Sequence, residues 1–406
     1  MKASSTALTV VAALALAAVG LLLADAAAAQ TSSQSQPTEE SRKLPVGSHA
    51  ERKARMAKRA NSQAYTQPFD LSGLPAYAPT EHPTGTLRLC GNNYVGDSPL
   101  GGWWKEAFEK IQPGVTVELS QLETAATAIP CLYFDRAEIG INHDPGFYDS
   151  LAHLRLKGFE PVGFSVFTGS MDYVGWQNNM VVFVHKDNPI NGITLKQLDG
   201  IFGSVREGGW VGTEWHPEFA RGADKNIRNW GQMGLKGEWA ARTITPHGYA
   251  VSYATAIEFS QKVLQGSSRW NGDLHDYANY RRPDGTVYLE ADQIFDHVRK
   301  DPGAIGYARY HHGFPKDIKI LTVARDDNGP FVPYTIANLQ NRSYPLWGDQ
   351  SFWVSVKAGG KLDPKVREFI RFVLSREGQE LVQKDGKYLP LNAETSRAEL
   401  KKLSQY

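Results

Sequence analysis

The chain has 406 residues, a formal net charge of +1, 41% hydrophobic residues and two cysteines. A near-neutral balance without a basic stripe along the body argues against nucleic acid as a partner, and two cysteines without companion histidines at ligand spacing leave no metal site to nominate. The length exceeds what one hydrophobic core usually serves, so two lobes are expected.

Lys2 precedes an apolar run from Ala7 to Leu23, which closes on Ala26–Ala29 before Gln30. A basic start, an apolar stretch and small residues before a cut predict a signal peptide over residues 1–29, cleaved near Ala29, and a periplasmic or secreted protein. The alternative is a retained anchor, for which a run of about 17 residues is just long enough. Residues 30–67 are rich in Ser, Gln and Ala, and residues 41–61 hold Arg42, Lys43, Arg52, Lys53, Arg55, Lys58 and Arg59 against Glu51 alone. That composition predicts a disordered basic linker, either simply solvated or touching an anionic surface or partner.

The folded part is expected from Pro68 onward. Thr86–Cys90 reads as a strand, Gly91–Gly102 as a Gly-rich polar loop, and Trp103–Ile111 as an amphipathic helix stopped by Pro113. Val115–Leu119 is a second strand, Thr124–Phe134 a helix interrupted at Pro130, and Glu138–Ile141 a third strand leading into Asn142-His-Asp-Pro-Gly146. This alternation predicts an α/β architecture with mainly parallel sheets. Ligands in such sheets collect at the carboxyl ends of the strands. Phe164–Phe167 and Asn179–His185 read as strands crossing into a second lobe. Thr194–Gly203 follows as a short helix with a glycine stop. Arg242–Thr245 is a strand, Ser252–Leu264 and Ala291–Lys300 are helices, and Ala304–Tyr307 is a strand. The C-terminal helices Pro364–Leu374 and Arg376–Lys384 carry clean apolar faces and are expected on the first lobe. Cys90 ends the first strand and Cys131 lies in the second helix; in an oxidising compartment they form a disulfide or remain two buried thiols.

Several segments in a fixed order carry a resemblance. They are Asn188-Pro-Ile190, Leu195–Phe202, Asn229-Trp-Gly231, Asp301-Pro-Gly-Ala-Ile-Gly-Tyr-Ala308, Tyr344-Pro-Leu346, Val366–Tyr388 and Leu389-Pro-Leu391. Together they resemble the periplasmic phosphate-binding proteins, the solute-binding subunits of phosphate ABC transporters, over roughly Thr86 to Leu391. The resemblance implies a two-lobed periplasmic-binding-protein-like fold of type II with a hinge. Lobe 1 would comprise 68–176 and 301–406, and lobe 2 would comprise 177–300. It implies a small oxyanion ligand, phosphate first, held without a cofactor or metal, and an ABC permease with a cytoplasmic ATPase as partner.

Helix N-termini with unpaired amides suit such an anion. Carried across, the ligand-binding positions are Asn92, Asn93 and Ser98 in the first loop, Thr124 at a helix start, Asp144 after the third strand, and Ser252 and Thr255 at a later helix start. Turn or capping roles are open for Asn92, Ser98 and Asp144. The last loop departs from the family: His247-Gly-Tyr-Ala-Val-Ser-Tyr-Ala-Thr255 stands where a Ser-Gly-Thr helix start preceded by arginine is usual. His247 is the nearest candidate cation, and Tyr249 and Tyr253 are candidates to line the cleft. An enzyme is not expected: there is no Gly-x-Ser-x-Gly elbow, His-Glu-x-x-His or phosphate loop. His311-His312 is read as a surface pair. An envelope sensor, scaffold or adhesion protein on the same fold is the alternative to transport.

Overall fold

The computed structural model describes residues 63–171, 173, 176–309 and 316–406. The predicted signal peptide, nearly all of the basic linker and the His311-His312 pair lie outside the described residues.

In chain order the first elements are β1 (Gly85–Gly91), α1 (Asn93–Asp97), α2 (Leu100–Ile111), β2 (Val115–Gln121), α3 (Ala128–Tyr133), β3 (Ile139–Asn142), α4 (Phe147–Lys157) and β4 (Val162–Thr168). The chain continues through β5 (Met180–His185), β6 (Gly192–Thr194), α5 (Leu195–Phe202), β7 (Gly209–Val211), β8 (Glu214–His216), β9 (Thr245–Tyr249) and α6 (Ala254–Val263). Then come β10 (His275–Tyr277), β11 (Tyr280–Arg281), β12 (Val287–Tyr288), α7 (Glu290–Val298), β13 (Ala304–Arg309), β14 (Ile318–Ile320) and β15 (Thr322–Ala324). The chain ends with α8 (Ile336–Gln340), β16 (Asp349–Val354), α9 (Pro364–Leu374), α10 (Arg376–Asp385) and α11 (Ala393–Leu403).

Two five-stranded sheets organise these elements, in the orders β2-β1-β3-β16-β4 and β10-β9-β13-β5-β14. Both follow one plan. Three adjacent strands pair in parallel, and a reversed strand, β16 or β5, separates them from the fifth. Each reversed strand is lent by the chain as it crosses between lobes. The fold is therefore the expected two-lobed, mainly parallel α/β clamp. Each sheet is covered on both faces, which is why β5 (Met-Val-Val-Phe-Val-His) is buried at every position.

Two cores follow the two sheets. One gathers Leu87, Trp104, Phe108, Ile141, Phe164, Phe352, Phe369 and Val373. The other gathers Val182, Phe183, Phe202, Phe259, Ile294, Ile305 and Tyr307. The C-terminal helices do pack on the first lobe. Asp363 caps α9 ahead of Pro364, and Ser375 caps α10. The buried Gln379 side chain then ties α10 to the Val166 carbonyl at 2.9 Å and to the Leu391 amide at 2.7 Å.

Lobe 2 extends further than the expected 177–300. β13 lies at the centre of the second sheet between β9 and β5, and β14 follows on its edge, so the chain returns to the first sheet only at β16. The apolar Ala304–Ala308 run is buried throughout, and that central slot is the one that suits it. The return crossing is built against the outward one. Gly169 N donates to the Gly348 carbonyl at 2.9 Å, and the Asn179 side chain accepts from Gly348 N at 2.8 Å and donates to the Gly169 carbonyl at 2.7 Å. The expected linker also ends earlier than 67. The amides of Ala64 and Tyr65 donate to the Gly386 carbonyl, and Tyr65 Oη accepts from Met171 N at 2.7 Å, beside the crossing.

Cys90 and Cys131 form a disulfide, with Cα atoms 6.4 Å apart. It fastens α3 to the end of β1.

Candidate ligand cleft

The carboxyl ends of β1, β2, β3 and β4 share one end of the first sheet, and those of β9 and β13 share one end of the second. The two ends meet where the loop after β3 touches α6: His143 Nδ1 lies 3.1 Å from Glu258 and Gln261 Nε2 donates to the Pro145 carbonyl at 2.8 Å. On the first side the loops leaving these ends are 92–98, 122–127 and 143–146; on the second they are 250–253 and the end of β13.

In the first loop, the predicted residues build the loop itself. Asn92 Oδ1 accepts from Tyr94 N at 2.8 Å and caps α1, while its Nδ2 donates to Gln350 Oε1 at 2.7 Å. Asn93 Nδ2 donates to Asp97 Oδ2 at 2.9 Å. Ser98 Oγ accepts from Leu100 N at 3.4 Å. All three side chains are buried, and the bonds named here stay within lobe 1. Tyr94 is left half-buried, tilted on Trp176 with ring centres 5.0 Å apart.

The expected helix over Thr124–Phe134 begins only at Ala128, after a single 3-10 turn at Ala125–Thr127. Pro130 forces this, because it is tolerated only in a first turn, where an amide has no acceptor. Thr124 is consequently exposed, its carbonyl accepting from Thr127. Asp144 is exposed too, and its carbonyl accepts from His143 Nδ1 at 3.0 Å. Ser252 is exposed in a turn closed by Tyr253 N donating to the Ala250 carbonyl at 2.8 Å. Thr255 is buried in the first turn of α6. No side chain caps α6, so its leading amides have neither an intrahelical acceptor nor a capping oxygen. Tyr253 lies beside them, its hydroxyl accepting from Asn279 N at 3.2 Å.

His247 is not the cation of the cleft. It lies two residues before the end of β9, under α7, stacked between His275 and His297 with Tyr277 Oη 2.8 Å from Nδ1. Burial, with the neighbouring His275 and His297, lowers its pKa from 6.5 to about 4. It is therefore neutral at physiological pH.

The cation at these strand ends is Arg309, the last residue of β13 and one residue past the Gly-Tyr-Ala segment that carries the family resemblance. Its Nη2 donates to Glu258 Oε2 at 2.6 Å, and its amide donates to Tyr249 Oη at 2.9 Å. Glu258, on the second turn of α6, is 3% exposed and also faces His143 Nδ1 of the first lobe at 3.1 Å. His143 is held by Trp353 Nε1, which donates to its carbonyl at 3.1 Å. Burial would raise the Glu258 carboxyl, but His143, Arg309 and Lys262 outweigh it and hold it below the usual value. Arg309 loses charge stability by burial and regains more from Glu258, so its pKa is raised. Arg309 Nε is buried and has no hydrogen-bond partner. The arrangement places a guanidinium with an unpartnered Nε and the open amides of α6 at the same strand ends, two features that suit an oxyanion.

Among the described residues no group of three or more His, Cys, Asp or Glu side chains could hold a metal ion, and no helix is long and apolar enough to cross a membrane.

No protein-family model matches the chain. It is similar to the phosphate-binding protein PstS of Pseudomonas aeruginosa, 26% identical over 331 residues, covering 81% of this chain and 90% of that protein. It is also 26% identical over 222 residues to the protein SphX of Synechococcus elongatus, covering 54% of this chain and 55% of SphX. Among solved structures, PstS of Borrelia burgdorferi aligns over 76% of this chain and 99% of its own, with 16% identity and a TM-score of 0.46.

Proposed function

We propose that this chain, a divergent relative of the periplasmic phosphate-binding proteins, captures phosphate or a related small oxyanion between its two lobes. The observation that carries the reading is the meeting of Arg309, with an unpartnered buried Nε, and the uncapped start of α6 at the strand ends that face lobe 1. A helix start and a guanidinium both favour a compact anion, and an anion touching both lobes favours the closed clamp. The similarity to PstS over most of both chains supports phosphate as the first candidate.

Ligand contacts are assigned to Arg309 and the α6 amides with Thr255, with Ser252, Thr124 and Asp144 at the margin. Asn92, Asn93 and Ser98 shape the first loop from behind. In this reading the protein is exported, is not an enzyme, and delivers its anion to an ABC permease in the inner membrane.

Calorimetric titration of the protein from Gln30 onward with phosphate, sulfate and phosphonates tests it. Saturable heat with phosphate that disappears in Arg309→Met/Glu258→Gln is expected. Silence with every anion overturns the reading. The alternative of an envelope sensor or scaffold is favoured by one observation: Glu258 occupies the Arg309 Nη2 edge.

A further inference from the structure

We infer that the β7–β8 hairpin is a strap that holds the two lobes shut; the inference rests on the two-lobed clamp of the preceding reading and concerns how its closure is controlled. The hairpin belongs to lobe 2 and is rooted there: Trp210 N donates to the Gln265 carbonyl at 2.8 Å. Its tip lies on lobe 1. Thr213 N donates to Glu160 Oε1 at 2.7 Å, and the Thr213 hydroxyl donates to the same oxygen. Glu160 stands between α4 and β4, in the first lobe.

The tip is shaped for that seat. Gly212 has φ +56°, a left-handed backbone that favours glycine, and a Cβ there would fall 2.5 Å from Glu160 Oε2 and push the carboxylate off this seat. A second contact runs alongside. Trp210 packs on Phe147, the first residue of α4, with ring centres 4.6 Å apart. The strap thus lies along α4, touching lobe 1 at both ends of that helix. It is separate from the Arg309 cleft and makes no use of its residues. The contacts add to those between the 143–146 loop and α6, His143 to Glu258 and Gln261 Nε2 to the Pro145 carbonyl, and count with them toward closure.

The test uses nitroxide labels on Cys introduced at the exposed Lys236 and Lys361, one per lobe, since the two native cysteines are bonded to each other. Distances are measured without anion and with inorganic phosphate. Without anion, the parent protein is expected to show mainly the short separation. Glu160→Ala and Trp210→Ala each shift it to the long one, and Glu160→Gln lies between. Loss of a charge-assisted contact predicts phosphate release about tenfold faster or more in Glu160→Ala. Trp210→Ala keeps the test open should Glu160→Ala fail to fold. Identical distance distributions in parent and variants overturn the strap, as does a parent protein already open without anion. Shifted distances without any phosphate binding keep the strap and sink the phosphate reading instead.

Discussion

Glu258 and Arg309 are 51 residues apart in the chain, yet their side chains meet at 2.6 Å where β13 ends beside α6. The carboxylate also reaches His143 of the opposite lobe, so one buried acid joins the cation of the cleft to the far wall. Removing one member of such a pair strands the other charge away from water. Arg309→Met should therefore cost about 3 kcal/mol of stability. The double variant Arg309→Met/Glu258→Gln should recover most of that loss. Urea unfolding of the two singles and the double at pH 7 gives the coupling, and an additive result would show that the pair is not energetically linked.

His247 predicts a pH dependence of folding. Its folded-state pKa, about 4, lies below the 6.5 of the free side chain, so between those values the unfolded chain binds the extra proton. Stability is complete above pH 6.5 and falls as the pH drops toward 4. Between pH 7 and pH 5 this one group should remove about 2 kcal/mol. His247→Gln should flatten that part of the curve. An unchanged slope would mean that the imidazole is protonated in the folded protein.

The Cys90–Cys131 disulfide spans a separation of 41 residues. Cross-linking a loop of that size restricts the unfolded chain, and Cys90→Ala/Cys131→Ala should lower stability by about 3 kcal/mol. The loss should appear equally on adding reductant to the parent protein. Because the bridge fastens α3 behind the 122–127 loop, anion affinity should weaken in parallel in calorimetry.

Gly348 sits where the chain returns to lobe 1, and a Cβ there would lie 2.4 Å from the Asn178 carbonyl oxygen. Gly348→Ala should force the two crossing segments apart at a cost of about 1–3 kcal/mol. Thermal unfolding measures the cost. A variant as stable as the parent would show that the crossings are looser than their hydrogen bonds suggest.

Much of the fold is legible in the residues. The apolar run of β5, the Thr194/Gln197 capping box of α5 and the capped helices α9 and α10 announce themselves through local periodicity and end signals. β9 is harder. Its strand runs Thr245–Tyr249 and not Arg242–Thr245, because Pro246 is accepted inside a parallel strand beside Ile305, a position that a proline ordinarily argues against. The start of α3 was obscured in the same way by Pro130.

The site was less legible because its chemistry is nonlocal. His247 is conspicuous in the chain near the expected binding loop, yet β9 carries it under α7 among other rings. Arg309 ends a strand that shows only ordinary apolar character in sequence, and it becomes the cleft cation because strand order places β13 between β9 and β5.

Local signals in the chain were sufficient for the alternation of strands and helices and for the two-lobed class, since each depends on short-range pattern or on length; the bond between Cys90 and Cys131, left open by the sequence, is decided by the fold. Tertiary structure alone decided which lobe owns β13, which polar side chains turn inward, and that Arg309, Glu258 and His143 share one cleft. Those outcomes depend on sheet order and lobe closure, which bring together residues that no local periodicity connects.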